Sequence, residues 1–304
     1  MMIRLIQFFL FSLVVSWAFG ATDPKLDELK AKALAGDVNS QLMLGGRHDS
    51  GDGVKQNHKE AAKWYEMAAK ADSPLGQNNL GSLYLEGSGV RKDYAKAVDL
   101  FRKAAQQGDS NAQCSLGLMF EEGWGLPKDQ AEANAWYRKS AENGNALGMT
   151  NLGDNLAEGK GVTQELTEAF MWLEKAARLG VPRAQRKVGY MYYNGIGVAE
   201  DPREAINWYR KAAQGGDVQA IANIGLAYKD GKGVNKDLLQ AWAWLDIARF
   251  ATQHWDDMHT KWGIRGYLDD VTKQLSPAQI KEAKAHSKQI GEELNAKHPR
   301  RETL

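Results

Sequence analysis

A Gly-x-Gly pair returns every 36 residues through most of this chain of 304 residues. One such pair ahead of a helix would suggest a phosphate-binding turn, but six pairs in phase indicate a connection between two helices. A fixed period of this size predicts an all-α fold, an α-solenoid in which helix-turn-helix units stack on their neighbours. The pairs begin at Gly51, Gly87, Gly123, Gly159, Gly195 and Gly231, within six copies that span 36–71, 72–107, 108–143, 144–179, 180–215 and 216–251 without an insertion.

Each copy is predicted to hold one helix before the glycine pair and one after it. In the second copy, Leu80, Leu83 and Tyr84 take the i, i+3 and i+4 places of one apolar helical face. Gly87 is expected to end that helix in the left-handed conformation, which glycine adopts at little cost. The second helix is expected to start at a polar N-cap, and Glu or Gln three residues later approximates a capping box in most copies. These N-caps are Asn57, Asp93, Asp129, Glu165, Asp201 and Asp237.

A further glycine recurs inside the first helix of every copy. Interior glycine costs about 1 kcal/mol relative to alanine, so its recurrence predicts that the paired helix approaches closely at this point. The second helix carries alanine in phase, as with Ala133 for Gly117. Tryptophans are predicted to fill the remaining space as packing residues rather than as a surface that stacks on a ligand. They stand at Trp64, Trp136, Trp172, Trp208 and Trp244, and Leu100 takes this place in the second copy.

The first residues differ in character from the repeats. Residues 1–20 combine the early charge of Arg4, an apolar run, and the small residues Ala18 and Gly20 at the end. This order predicts a secretory signal peptide and a mature chain that begins at Ala21, in the periplasm or outside the cell. An uncleaved membrane anchor is the alternative, although the apolar run is short for a bilayer span. After cleavage, no stable insertion in a membrane is expected.

The remaining segments are predicted to cap the array. An N-terminal capping helix is expected over 21–35, a C-terminal helical cap over 252–298, and a flexible tail over 299–304. Solenoid ends must differ from the internal repeats because one of their faces meets solvent. The single cysteine, Cys114, excludes an internal disulfide, and we expect it to be buried as a small apolar residue.

Composition and motifs argue against several functions. Lys and Arg total 39 against 38 Asp and Glu, and this balance lacks the basic surplus that a nucleic-acid binder needs. The densest metal-ligand candidate is HWDDMH, at 254–259, but its two histidines do not share a helical face. No serine has lysine three residues later, and no Gly-x-Ser-x-Gly occurs. We therefore expect neither an enzyme nor a cofactor.

The unit at 108–143 closely resembles the Sel-1-like repeat, a relative of the tetratricopeptide repeat. The matching residues within it are Ala112, Leu116, Gly117, Gly123, Gly125, Asp129, Ala133, Trp136, Tyr137 and Ala141. The resemblance covers 36–251 and implies a right-handed solenoid that binds a protein or peptide. With the signal peptide and the helical caps, we expect an exported scaffold that is monomeric or weakly associating. Two alternatives stay open: a cell-envelope protein that acts on peptidoglycan or binds β-lactam-like ligands, and a secreted host-interaction factor.

The partner is expected on the first helices, which line the concave face of such an array. Asparagines at one variable position could bracket a peptide backbone, or could instead bond the neighbouring helices. A basic spot is predicted in the fifth copy. Trp124, between the paired glycines of the third copy, offers an aromatic anchor on a turn, or a ring that folds back over the neighbouring helix and fills a gap. The candidate partner-binding residues are Asn79, Asn151, Asn223, Arg183, Arg186, Lys187 and Trp124.

Overall fold

The computed structural model describes residues 25–252 and 258–297, and these residues form helices joined by short turns, with no strand among them. The helices are α1 Leu26–Leu34, α2 Val38–Ser50, α3 His58–Lys70, α4 Pro74–Glu86, α5 Tyr94–Gln106, α6 Ser110–Glu122, α7 Gln130–Glu142, α8 Ala146–Glu158, α9 Leu166–Arg178, α10 Pro182–Asn194, α11 Pro202–Gln214, α12 Val218–Asp230, α13 Leu238–Ala251, α14 Met258–Thr272 and α15 Pro277–Lys297. Three predicted segments lie wholly or partly outside the described residues: the signal peptide at 1–20, residues 253–257 of the C-terminal cap, and the tail at 299–304.

The two ends of each turn follow the predicted chemistry. The glycine after each first helix is left-handed, as at Gly87, with φ +81°. The second helices begin at the predicted N-caps, and five of the six caps accept a backbone N–H through their side chain; Glu165 does not. In a capping box, the side chain three residues later would accept the backbone N–H of the N-cap residue. In these caps that N–H bonds across the turn instead. The N–H of Asp129, for example, donates to the Phe120 carbonyl at 2.9 Å, so the turn is bonded to both of its helices.

The interior glycines admit the paired helix, as predicted, but the tryptophans are not what fills the space. A Cβ on Gly117 would lie 2.7 Å from the ring of Tyr137 and 3.1 Å from the Ala133 carbonyl oxygen. The residue after each tryptophan is therefore the one packed against the glycine, and the expectation of tryptophan core staples was wrong by one position. Those residues are Tyr65, Phe101, Tyr137, Leu173, Tyr209 and Leu245, all buried. Among the tryptophans at this position, only Trp208 is buried; Trp64, Trp136, Trp172 and Trp244 are half-buried.

The second glycine of the pair serves a different contact. A Cβ on Gly89 would lie 2.2 Å from the carbonyl carbon of His58, in the first turn of the preceding second helix. Gly197 meets Leu166 in the same way, and Gly233 meets Pro202. Backbone-to-backbone approach at this spacing excludes any side chain. In these copies the first glycine of the pair therefore ends one helix, and the second glycine lets the turn pack against the backbone of the preceding repeat.

The chain forms two compact units, Met1–Gln107 and Gly108–Leu304. The first unit contains α1–α5. The buried cluster of its helix pairs is built from Ala61, Ala62, Tyr65, Leu80 and Leu83. The second unit contains α6–α15, and its two buried clusters follow one another along the helix pairs.

Helices α1 and α15 lie at the ends of these units. Ala33 of α1 is buried and its carbonyl accepts from Gln41 Nε2 at 2.9 Å. Helix α15 starts with a reciprocal capping box, in which Ser276 N–H donates to Gln279 Oε1 at 3.0 Å and Gln279 N–H to Ser276 Oγ at 3.3 Å. Ala283 is buried in the cluster that contains α13. No helix within the described ranges is long and apolar enough to cross a bilayer.

Candidate partner-binding surfaces

The three candidate asparagines are half-buried, and each bonds another side chain. Burial raises the pKa of the Tyr65 hydroxyl, and a hydrogen bond with Asn79 partly opposes that rise. Asn223 makes the corresponding bond with Tyr209. Asn151 Nδ2 donates to the sulfur of Cys114 at 3.9 Å. These asparagines therefore link successive helix pairs through side chains, while backbone bonding to a partner stays a prediction.

Cys114 is buried, as expected. Burial raises the pKa of its thiol to about 12, and the hydrogen bond from Asn151 opposes that rise. A thiol held neutral in this way is a poor nucleophile and a poor metal ligand. No group of three or more metal-binding side chains occurs in the part of the chain that the structure describes.

The predicted basic spot on α10 is matched by acidic side chains from both neighbouring first helices. Arg183 pairs with Asp154 of α8, and Lys187 Nζ lies 2.6 Å from the same carboxylate. Arg186 Nε lies 3.0 Å from Asp217, the N-cap of α12. The spot is a ladder of ion pairs that joins α8, α10 and α12. A partner there would meet alternating charges instead of an uncompensated positive patch.

Tyr190 belongs to this surface and was missed by the sequence analysis. Its side chain is 53% exposed, one of the few large apolar residues open to solvent. It follows Arg183, Arg186 and Lys187 by seven, four and three residues, so all four share one face of α10. That spacing was the available signal. The equivalent positions of the other copies are occupied by Gly46, Ser82, Leu118, Asp154 and Leu226.

Trp124 lies in the turn between α6 and α7. Its side chain is half-buried. The backbone N–H of Trp124 donates to the Met119 carbonyl at 3.0 Å as part of the helix end. A half-buried ring can bury less additional surface area against a partner than a fully exposed ring can. Its role as an anchor stays a prediction.

The second helices carry a feature that the sequence analysis did not anticipate. Three consecutive copies stack a lysine on the tryptophan three residues before it. The ammonium lies 4.1 Å from the ring centroid for Lys139 on Trp136, 4.2 Å for Lys175 on Trp172, and 4.0 Å for Lys211 on Trp208. These distances are typical of cation–π contacts.

The stack at Trp172 is extended by a carboxylate. Trp172 Nε1 donates to Glu168 Oε1 at 3.1 Å, and Arg138 of the preceding second helix donates to the same oxygen at 2.5 Å. The bond from Arg138 lowers the pKa of Glu168, because it favours the ionised carboxylate. Tryptophan, lysine and carboxylate thus form one unit on the surface of the second helices.

The repeated helix pairs define the class of protein as a helical-repeat fold. A family model described as Sel1 repeat matches residues 38–73, 74–109, 110–145, 146–181, 182–217 and 218–248. The chain therefore belongs to the Sel1 repeat family, an α-solenoid fold whose members are in general non-catalytic scaffolds for protein interactions.

Solved structures agree with this assignment. A Sel1 repeat protein from Oxalobacter formigenes is 34% identical with a TM-score of 0.67, over 74% of this chain and 99% of that one. A protective antigen with an SLR fold, present in uropathogenic Escherichia coli strains, is 24% identical with a TM-score of 0.54, over 92% of this chain and 90% of that one. The latter likeness shows the fold alone. A comparison with curated proteins found no match.

Proposed function

We propose that this protein is an exported scaffold that binds a protein or peptide partner on the face formed by the first helices of its repeats. The observation that carries the proposal is the surface around Tyr190. An exposed aromatic ring stands there beside three cationic side chains that the chain's own carboxylates hold in place. Rigid aromatic residues ringed by polar groups are typical anchors of protein interfaces, because they bury much area while losing few torsions.

The ion pairs would contribute orientation more than affinity. Asp154 and Asp217 hold Arg183, Lys187 and Arg186 in fixed positions, so a partner would meet a preorganised pattern of alternating charge. Such complementarity favours one register of docking and one class of partner. The family's general role as interaction scaffolds supports this reading.

A photo-crosslinking amino acid at position 190 tests the proposal. Met171 of the second helix α9 is the matched control, since its side chain is 49% exposed against 53% for Tyr190. We expect a discrete crosslinked partner from position 190 and none from position 171. An excess of unlabelled wild-type chain should remove that product by competition, whereas an unlabelled Tyr190→Ala chain, with its unfolding unchanged within about 0.5 kcal/mol, should leave it; this pair of results would support the anchor. Equal products from both positions, or none from position 190, would contradict it.

Export is part of the proposal and has its own test. The order of charge, apolar run and small residues in 1–20 supports cleavage after Gly20. N-terminal sequencing of protein from the periplasm or the medium should begin at Ala21. A chain that starts at Met1 or Met2 would contradict cleavage and favour the anchor alternative.

A further inference from the structure

The second repeat keeps a groove at the place where other repeats hold a tryptophan. Leu100 stands in this copy at the position of Trp136, Trp172 and Trp208. Around it lies a groove of about 620 Å³ between α3, α4 and α5. Its base is apolar and includes Ala69, Leu80, Tyr84 and Leu100, and its rim is charged.

The filled repeats show what this place accommodates. Trp208, 5% exposed, belongs to the same buried cluster as Ala177 and Val188. Those two residues are the counterparts, 108 positions later, of Ala69 and Leu80 in the groove. Two residues of the groove lining therefore have counterparts in the cluster that holds a buried tryptophan, and in the sixth copy a smaller groove lies beside Trp244.

The lysine that would cover the ring is retained. Lys103 follows Leu100 by three residues, as Lys139, Lys175 and Lys211 follow their tryptophans. It lines the groove and, within the described ranges, makes no ion pair. The three acidic rim residues are engaged within the protein: Glu66 pairs with Lys70 at 2.9 Å, Asp99 with Arg102 at 3.8 Å, and Asp72 accepts from Gln77 Nε2 at 2.8 Å. Among the residues that the structure describes, Lys103 thus makes neither an ion pair nor a cation–π contact.

The charge next to the groove is also reversed. Glu168 accepts from Trp172 in the filled copy, but Lys96 stands at the equivalent position here. Its Nζ lies 5.0 Å from the ring centroid of Tyr84 and 3.9 Å from Asp93, and because its side chain is 61% exposed, a further anion can reach it. A ligand could supply the two groups that this copy lacks, namely an aromatic ring for Lys103 and a carboxylate for Lys96.

We propose that this groove binds a tryptophan side chain flanked by an acidic residue on a partner protein, which completes the stack that the chain builds for itself in the neighbouring repeats. The inference deepens the proposed function and rests on it. It concerns a site in the first unit, separate from Tyr190, so the two can be tested independently.

A pair of short peptides tests the groove. The probe is acetyl-Asp-Trp-Asp-amide, and the control peptide carries Leu in place of Trp. Leucine methyl NMR on the full mature chain reads out Leu80 and Leu100. We expect saturable ring-current shifts of both methyl signals with the tryptophan peptide only. No shift, or equal shifts with both peptides, would overturn the proposal.

Two variants make the test specific. Leu100→Trp fills the groove from within and should abolish the shifts of Leu80, while Lys103→Gln, on the surface, should weaken binding by about two- to fivefold, as expected for one exposed cation–π contact. Lys139→Gln is the matched control and should change nothing.

Unaltered binding in both groove variants would overturn the proposal. So would leucine shifts that grow with protein concentration alone, since a second copy would then occupy the groove. Crosslinking at Tyr190 that persists without peptide binding would leave the scaffold standing and reject only the groove.

Discussion

At the scale of single residues, the two glycines of each pair are constrained for different reasons. Gly89 and Gly53 are both second glycines with positive φ, +71° and +68°, but a Cβ on Gly89 meets the His58 backbone at 2.2 Å, and one on Gly53 meets nothing within 4 Å. We expect Gly53→Ala to cost about 1 kcal/mol and Gly89→Ala about 2–4 kcal/mol, because the backbone contact must open. Denaturant unfolding of both variants measures the difference; equal losses would contradict the contact.

Cys114 offers a second prediction at this scale. Burial raises the pKa of its thiol to about 12, and only the thiolate attacks an alkylating agent. At about pH 8, iodoacetamide should therefore label the native protein at least about a hundredfold more slowly than the protein in guanidinium chloride. Mass spectrometry follows both reactions. Similar rates would show that the thiol is accessible in the native state.

At the scale of elements, we predict that the ion pairs between first helices stabilise the array. Asp154 of α8 is buried and meets both Arg183 and Lys187 of α10. Asp154→Asn should cost about 1–3 kcal/mol, because two partly buried cations lose their carboxylate. The control is Glu174→Gln, which removes the exposed pair with Arg178 and should cost less than about 0.5 kcal/mol. Chemical denaturation compares them, and a neutral Asp154 variant would mean that the ladder adds no stability.

At the scale of the whole molecule, helix α15 is predicted to be required because it covers the last repeat. Ala283 is buried against α13 and Ser287 Oγ donates to Asp246 at 2.9 Å. A chain that ends at Leu275 should lose at least about 5 °C in Tm, since about 1 kcal/mol corresponds to 2–4 °C at this size, and should associate through the uncovered helices. Removal of 298–304 is the control. Calorimetry and sedimentation would contradict the cap if both truncations behaved alike.

The sequence by itself determined the class of fold, because the period can be counted along the chain and capping is a local property. The 36-residue spacing is visible in the sequence alone, and the left-handed Gly87 and N-caps such as Asp129 follow from backbone chemistry within a few residues. Glu165, a longer acid at the same place, shows the limit of that reasoning, since it caps nothing.

Only the tertiary structure decided which side chains meet between repeats. Helical phase alone could not separate Trp136 from Tyr137, adjacent residues of which only the second packs on Gly117. It could not pair Arg186 with Asp217 across 31 residues, or show that Leu100 and Lys103 line one groove. These contacts depend on the distance and rotation between stacked helices. Those quantities are set by the packing of all the interface residues together, and no single repeat encodes them.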